Sequence, residues 1–307
     1  MKAMLLTGHG GPEMLKFGEA PDPVAGPGEV VVDIHAASVN GADPKVRRGK
    51  GNYQLAKFPH ILGRDFSGRI SAVGQGVGDL NVGDAVLGVL DQGIEGTYAE
   101  KVAIKADLVA KKPDWISDVD AAALGLISLT ALTAIEDTAK LQKGETILIQ
   151  GGAGGVAGFA IELAKHIGAT VITTASAGNH DYVKKLGADR VIDYNKEDFS
   201  QIGPICDVVF DTVGGTAVRE NSYKVLKAGG RLVWISPAPD AAVRADVKTF
   251  KPDVKRDRAH LERMLTLFKA GAVHTPAIHR YKLEDAAETH RISEARHLQG
   301  KLVFALR

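Results

Sequence analysis

Apolar positions near the middle of the chain switch from a short continuous run to helical spacing. Ile147, Leu148 and Ile149 form the run, within ETILIQ (145–150). After a glycine-rich turn, Val156, Ala160, Leu163, Ala164 and Ile167 recur on one helix face. This predicts a strand, a turn and a helix. The alternation continues through GATVITTAS (168–176), DRVIDY (189–194), CDVVFDTVGG (206–215) and GGRLVWIS (229–236), with VKTF (247–250) as a sixth strand before the helix HLERMLTLFKAG (260–271). Strands separated by helical or loop stretches predict an α/β fold with a doubly wound parallel sheet. The N-terminal third reads differently. MKAMLLT (1–7), EVVVDIHAASV (29–39), GRISAVG (68–74), DAVLGVL (84–90) and YAEKVAI (98–104) are short strands broken by glycine and proline, which predicts a compact β-barrel-like domain. A helix-prone stretch (118–141) leads into the second domain, and KLVFAL (301–306) is a late strand expected to return to the first. The expected division is 1–119 with 273–307, and 120–272.

The turn carries candidate chemistry. A glycine where strand becomes helix allows a sharp reversal, and one without a side chain lets a pyrophosphate lie against the free amides at the helix start. Gly151 and Gly154 fit these roles, Ala157 fits the third, small position, and Gly152, Ala153, Gly155 and Val156 complete the loop. The second strand ends in Thr173, Thr174, Ala175 and Ser176, with no carboxylate before Asp181. NAD sites place an acidic side chain there to hold the ribose hydroxyls. Its absence favours NADP (NADPH), with Ser176 and Asn179 as neutral donors. Ligands of such sheets bind at the carboxyl ends of the strands, which places Tyr194, Thr212 and Val213 within 211–215, Ile235 and Ser236 around one crevice.

Composition narrows the class. At 307 residues, two domains are expected. Lys plus Arg number 38 against 37 for Asp plus Glu, so no basic field points to a nucleic-acid partner. The single cysteine, Cys206, precedes an apolar strand and reads as a small core residue. No signal peptide and no bilayer-spanning apolar run are apparent, so a cytoplasmic protein without a membrane partner is expected. The ten histidines form no nucleophile motif with serine and a carboxylate, which leaves hydrolase chemistry without support.

Stretches spread over nearly the whole chain carry a family resemblance: AASVNGADPKVRRG (36–49), FPHILGRDFSGRISAVG (58–74), NVGDAVLG (81–88), GTYAEKVAI (96–104), the glycine-rich turn, LGADRVIDY (186–194), FDTVGG (210–215) and QGKLVFAL (299–306). In this order and spacing the chain resembles the medium-chain dehydrogenase/reductase superfamily, in its zinc-independent quinone oxidoreductase branch. The resemblance implies a GroES-like catalytic domain joined to a Rossmann domain, an active site in the cleft between them, and a homodimer. Zinc-dependent members carry a cysteine and a histidine ligand where this chain has Asn40 and Arg64, so no metal is expected.

Without a Lewis acid, hydride delivery to an already electrophilic quinone or α,β-unsaturated carbonyl is the feasible chemistry, because charge then develops on an oxygen that hydrogen-bond donors can stabilise. Asn40, at the lost ligand position, is the candidate neutral donor, or else a strand-end amide capping local backbone. Asp43 and Lys45 either orient Asn40 or contact substrate, or form a solvated ion pair. The resemblance places Tyr53 near an active-site tyrosine of some relatives, a candidate donor of a hydrogen bond or a proton, with solvent as the rival proton source. The resemblance places Thr130 beside the nicotinamide and Tyr194 beside the adenosine 2'-phosphate; Arg296 is a further phosphate candidate. Two other readings stand: an NADPH-binding sensor or structural protein without turnover, and an enoyl-thioester reductase.

Overall fold

The computed structural model describes residues 1–49, 54–238, 240–295 and 298–307. Lys2–Leu6 (β1) pairs antiparallel with Leu15–Glu19 (β2) and with the two-residue strand His60–Ile61 (β4), which follows Glu29–Val39 (β3) and the helix Asp43–Arg48 (α1). β3 has eleven residues, and all but three of them are buried. Such a strand needs partners along both edges. On one side it pairs with Asp65–Val73 (β5), which continues through Ala85–Val89 (β6) and, after Lys101–Lys105 (β7), to Val109–Lys111 (β8). On the other side its first half pairs with β7. Its second half pairs with Lys301–Ala305 near the C-terminus, which places Val39 opposite Leu302. Met4, Val32, Ile34, Phe66, Ile70, Tyr98 and Phe304 fill the interior, with the Tyr98 and Phe304 rings edge to face at 4.9 Å.

The long apolar stretch predicted as a helix forms one over Asp118–Leu132 (α2), then widens into a π-helical turn over Thr133–Thr138. One expectation is corrected here. Asp118–Thr138 is long and apolar enough to cross a bilayer, but 83% of its most apolar window is buried inside the protein, as in a core helix.

Beyond it come Thr146–Ile149 (β9), Gly155–Ile167 (α3), Thr170–Thr174 (β10), His180–Lys185 (α4), Arg190–Ile192 (β11), Cys206–Asp211 (β12), Thr216–Val225 (α5), Leu226–Trp234 (β13) and Lys248–Phe250 (β14). These strands form one all-parallel sheet in the order β11-β10-β9-β12-β13-β14. β9 and β12 are apolar almost throughout because both faces are covered. The chain reverses direction across the sheet between β9 and β12, the crevice where such folds take their ligands. Cys206 is buried at the start of β12, and burial pushes its thiol up to about 12, as suits an inert core residue.

After the helix Arg258–Lys269 (α6), the chain returns through Ile278–Tyr281 (β15), Ala286–Ala295 (α7) and Lys301–Ala305 (β16), with β15 parallel to β16. By contact the chain divides into Met1–Leu126 with Arg256–Leu265 and Thr275–Arg307, and Ile127–Lys255 with Thr266–His274. The start of α6 groups with the N-terminal unit, whereas 120–272 was expected to hold together. Arg258 ties it there by donating to the carbonyls of Val109 and Ala106 and pairing with Asp79.

Candidate active site

In the N-terminal unit, three strand ends and one helix start converge on Asn40. It follows the last residue of β3, Asp65 opens β5, Lys301 opens β16 and Asp43 opens α1. The Asn40 amide lies between opposite charges: Oδ1 accepts from Lys301 Nζ at 2.7 Å, and Nδ2 donates to Asp65 Oδ1 at 2.9 Å. Flipping the amide would set NH₂ against an ammonium and a carbonyl against a carboxylate, so the network assigns its orientation. Asp65 also accepts from Ser38 Oγ and the Leu126 amide, and Lys301 also donates to the Val39 carbonyl. Lys301 Nζ is 3.8 Å from Asp65 Oδ2. Burial pulls the Lys301 ammonium below its ordinary value, opposed by the charges of Asp65 and Asp43. The second Nδ2 hydrogen of Asn40 has no partner among the described residues, and 7% of the residue remains accessible.

Asp43 is fully buried, which rules out the solvated ion pair with Lys45 considered from sequence. Its Oδ2 accepts from the Asn40 backbone amide and from the Tyr98 hydroxyl, both at 2.8 Å. Asp43 therefore orients Asn40 from behind, although it had been a candidate for direct chemistry. Behind Tyr98 the chain of donors continues. Arg47 Nη1 lies 3.2 Å from His290 Nδ1 and can only donate, so the ring proton sits on Nε2, 3.3 Å from Tyr98 Oη. Arg47 in turn pairs with Glu294 at 2.5 Å. Sequence reasoning missed Asp65, Tyr98, His290 and Lys301. Separations of 55 residues for Asp43 to Tyr98 and 192 for Tyr98 to His290 leave no local pattern to find.

Burial, with the Arg47 charge, lowers the His290 imidazole from 6.5 to about 3. The unfolded chain protonates this residue well before the folded chain does, so stability falls as pH drops from 6.5 towards about 3. Asp43 acts in the opposite sense. Burial, opposed by Arg64, the Asn40 amide and Tyr98, raises its carboxyl from 3.8 to about 6, and this contribution grows as pH falls through that range. Over their shared range the two contributions largely offset each other. His290→Gln removes the destabilising one, so its melting temperature should rise relative to wild type as pH falls from 6.5 to about 4, read from thermal melts at stepped pH; an unchanged difference between the two proteins would refute the assignment.

Arg64, at the other lost ligand position, is buried and donates twice to Glu95 Oε1 at 3.2 and 2.9 Å. Burial alone would raise the Glu95 carboxyl. His60 Nε2 at 3.3 Å from Oε2, the Arg64 charge and the Gly93 amide reverse this and hold it at about 2. His60 thus faces Glu95. Among the described residues no group of three or more His, Cys, Asp or Glu is placed to hold a metal.

In the second unit the glycine-rich turn connects β9 to α3. Gly151 has φ 70°, where a side chain is strained, and a Cβ on it would sit 3.1 Å from Val213 and 3.2 Å from Thr212. Its amide donates to Thr174 Oγ1 at 3.0 Å, and the Gly152 amide donates to the Thr174 carbonyl. Thr174 is thereby a brace for the loop. Ala153 leads to Gly154, the extended residue that begins α3; no side chain caps it, and Gly155, Val156 and Ala157 present uncapped first-turn amides. The second loop is braced as firmly. Asp211 Oδ1 accepts from the Val213 and Gly214 amides, Thr212 Oγ1 donates to the Gln150 carbonyl, Ser236 Oγ donates to the Thr212 carbonyl, and the Ile235 amide donates to the Asp211 carbonyl. Arg219 holds Asp211 from the far side at 3.0 Å. The hydroxyls of Thr212 and Ser236 are thus taken up by backbone carbonyls, and Val213 is 42% exposed.

At the end of β10, Ser176 Oγ accepts from Asn179 Nδ2 at 3.1 Å, and Tyr194 is 51% exposed beyond β11. Lys184 and Lys185 are exposed on α4, and Asp193 is buried, accepting from the Asn195 amide. Thr130 lies on α2 with 7% of its surface accessible. Tyr53 and Arg296 lie outside the described residues.

An alcohol dehydrogenase GroES-like domain matches residues 26–114, and a zinc-binding dehydrogenase domain matches 186–304. A chloroplast envelope quinone oxidoreductase homolog of Arabidopsis thaliana is 32% identical over 314 residues, covering 96% of this chain and 94% of that protein. The chain belongs to the medium-chain dehydrogenase/reductase family, in its quinone oxidoreductase branch. The quinone oxidoreductase of Coxiella burnetii, a family member of known structure, superposes with a TM-score of 0.93 at 35% identity, covering 100% of this chain and 99% of that one. The NADPH-dependent alkenal/one oxidoreductase of the A. thaliana chloroplast is 36% identical over 247 residues, which span 78% of this chain and 63% of that relative. The glycine loop lies at the direction reversal of a six-stranded parallel sheet.

Proposed function

We propose that this protein is a zinc-independent reductase that uses NADPH to reduce a quinone or an α,β-unsaturated carbonyl compound. The observation that carries this reading is the Asn40 amide, clamped between Lys301 and Asp65 with one donor hydrogen unassigned. The names of the relatives, an alkenal/one oxidoreductase and a quinone oxidoreductase homolog, support the acceptor class. Glycines at 151 and 154, uncapped amides at the start of α3 and the carboxylate-free end of β10 fit a pyrophosphate and a 2'-phosphate. Bound NADPH would supply a hydride, whose addition to a quinone or an enone β-carbon leaves negative charge on the acceptor oxygen. Asn40 Nδ2–H is the group suited to donate to that oxygen, and Asp43 and Asp65 hold it in place.

The zinc that the C-terminal domain's description suggests does not fit the residues present. Asn40 Oδ1 already accepts from an ammonium, a cation beside which a second cation would be repelled. Both donors of the Arg64 fork go to Glu95. An acceptor panel of a benzoquinone, phenanthrenequinone and a simple enone, run with NADPH and NADH in parallel, tests the reading. Acceptor-dependent oxidation with preference for NADPH is expected, from protein that metal analysis shows to lack stoichiometric zinc. Tight NADPH binding without turnover on any acceptor would instead support a sensor or structural role.

A further inference from the structure

Lys301 is almost fully buried, yet nothing about a strand in a barrel wall requires a lysine there. Its neighbours in β16, Leu302, Val303 and Phe304, belong to the core. A buried ammonium is costly, and burial with an imperfect partner is poor evidence of a stabilising role. The pairing is imperfect: Asp65 Oδ2 stands at 3.8 Å, beyond hydrogen-bond reach, whereas Asn40 Oδ1 stands at 2.7 Å. The ammonium donates to the Asn40 amide and to the Val39 carbonyl, and Asn40 is its one side-chain partner within hydrogen-bond reach among the described residues. An amide whose carbonyl accepts from a cation shifts electron density towards that oxygen, which strengthens its N–H groups as donors. Asp65 takes one of those N–H groups and fixes the plane; the other has no partner among the described residues.

From this geometry we infer that Lys301 is a positioning residue that orients and polarises Asn40, a fixed cation acting through the amide on the oxygen where charge develops. The inference rests on the reductase reading. Lys301 touches neither acceptor nor cofactor in this role. Its influence should therefore exist only where Asn40 is present to transmit it.

A double-mutant cycle reads this directly. Lys301→Met should lower kcat about tenfold or more with the NADPH dissociation constant unchanged. In an Asn40→Ala background the same change should cost less than about twofold, because the amide that transmits the effect is gone. Lys301→Gln keeps a donor without the charge and should fall between wild type and Lys301→Met. Equal fold losses in both backgrounds would make Lys301 a structural counter-charge to Asp65 and overturn the inference, as would an unchanged kcat. Thermal melts identify any variant that fails to fold. Should both Lys301 variants do so, the Asn40 side-chain amide resonance of the wild-type protein decides. A shift that tracks deprotonation of the Lys301 ammonium at alkaline pH supports the inference, and an amide that ignores it overturns it. If the wild-type protein binds NADPH but turns over none of the acceptors, the reductase reading fails; additivity in an active protein sinks only the part given to Lys301.

Discussion

Asn40→Ala is expected to lower kcat by about 10²- to 10³-fold while NADPH affinity stays within about twofold of wild type. The magnitude is that of removing one preorganised donor from a developing oxyanion. NADPH affinity should hold because the glycine turn and the ends of β10 and β11 fit the nucleotide, and no residue of these belongs to the Asn40 cluster. The substitution also leaves Lys301 Nζ and Asp65 Oδ1 each short of one hydrogen bond, for which about 1–3 kcal/mol of stability should be lost. Stopped-flow reduction of an acceptor, fluorescence titration with NADPH and thermal melts separate the three quantities. Parallel losses of turnover and of NADPH affinity would make Asn40 a structural amide and remove the main support for its chemical role.

The second large effect concerns Gly154. A Cβ placed there would meet nothing nearer than the Gly151 carbonyl oxygen at 3.4 Å, an ordinary contact, and its φ of −74° suits any residue. Gly154→Ala should therefore fold normally. The methyl group would occupy space beside the uncapped amides of α3, where a pyrophosphate needs to approach the backbone. NADPH affinity should fall at least about tenfold, or ~1.4 kcal/mol, with the melting temperature of the ligand-free protein unchanged. Gly152→Ala makes a useful contrast. There the added Cβ would lie 2.3 Å from Thr173 Oγ1, which is held by the Ile149 carbonyl, so stability itself should drop. Unimpaired NADPH binding by Gly154→Ala would place the nucleotide elsewhere than at this turn.

The sheet was legible in the sequence because its central strands, covered on both faces, carry short apolar runs, and Thr146–Ile149 is followed by a helix-spaced stretch. β3, predicted over EVVVDIHAASV, forms over those same residues, Glu29–Val39. The long apolar stretch was harder to place: apolarity alone does not distinguish a core helix from a membrane span, and only its burial among other elements does. The glycine turn was visible for a related reason. Glycine marks backbone geometry locally, whatever the rest of the chain does.

Asn40 and Asp43 were legible as candidates, but their company was not. Lysine is ordinarily a surface residue, and nothing near Lys301 in the sequence marks its ammonium as buried beside Asn40, 261 residues away. The same holds for Tyr98, whose backbone bonds to Met4 and Leu62, and for His290 on α7, which the fold brings together behind Asp43. Local patterns in the chain by themselves marked most of the parallel strands, the helix Gly155–Ile167 and the glycine-rich turn before it, since backbone preference and hydrophobic period act over a few residues; they gave no sign of the short strands Leu15–Glu19 and Ile278–Tyr281. Which polar side chains share a buried site, and so how strongly Asn40 can donate, was decided only by tertiary structure, because a buried charge takes its partners from whatever elements the fold packs against it.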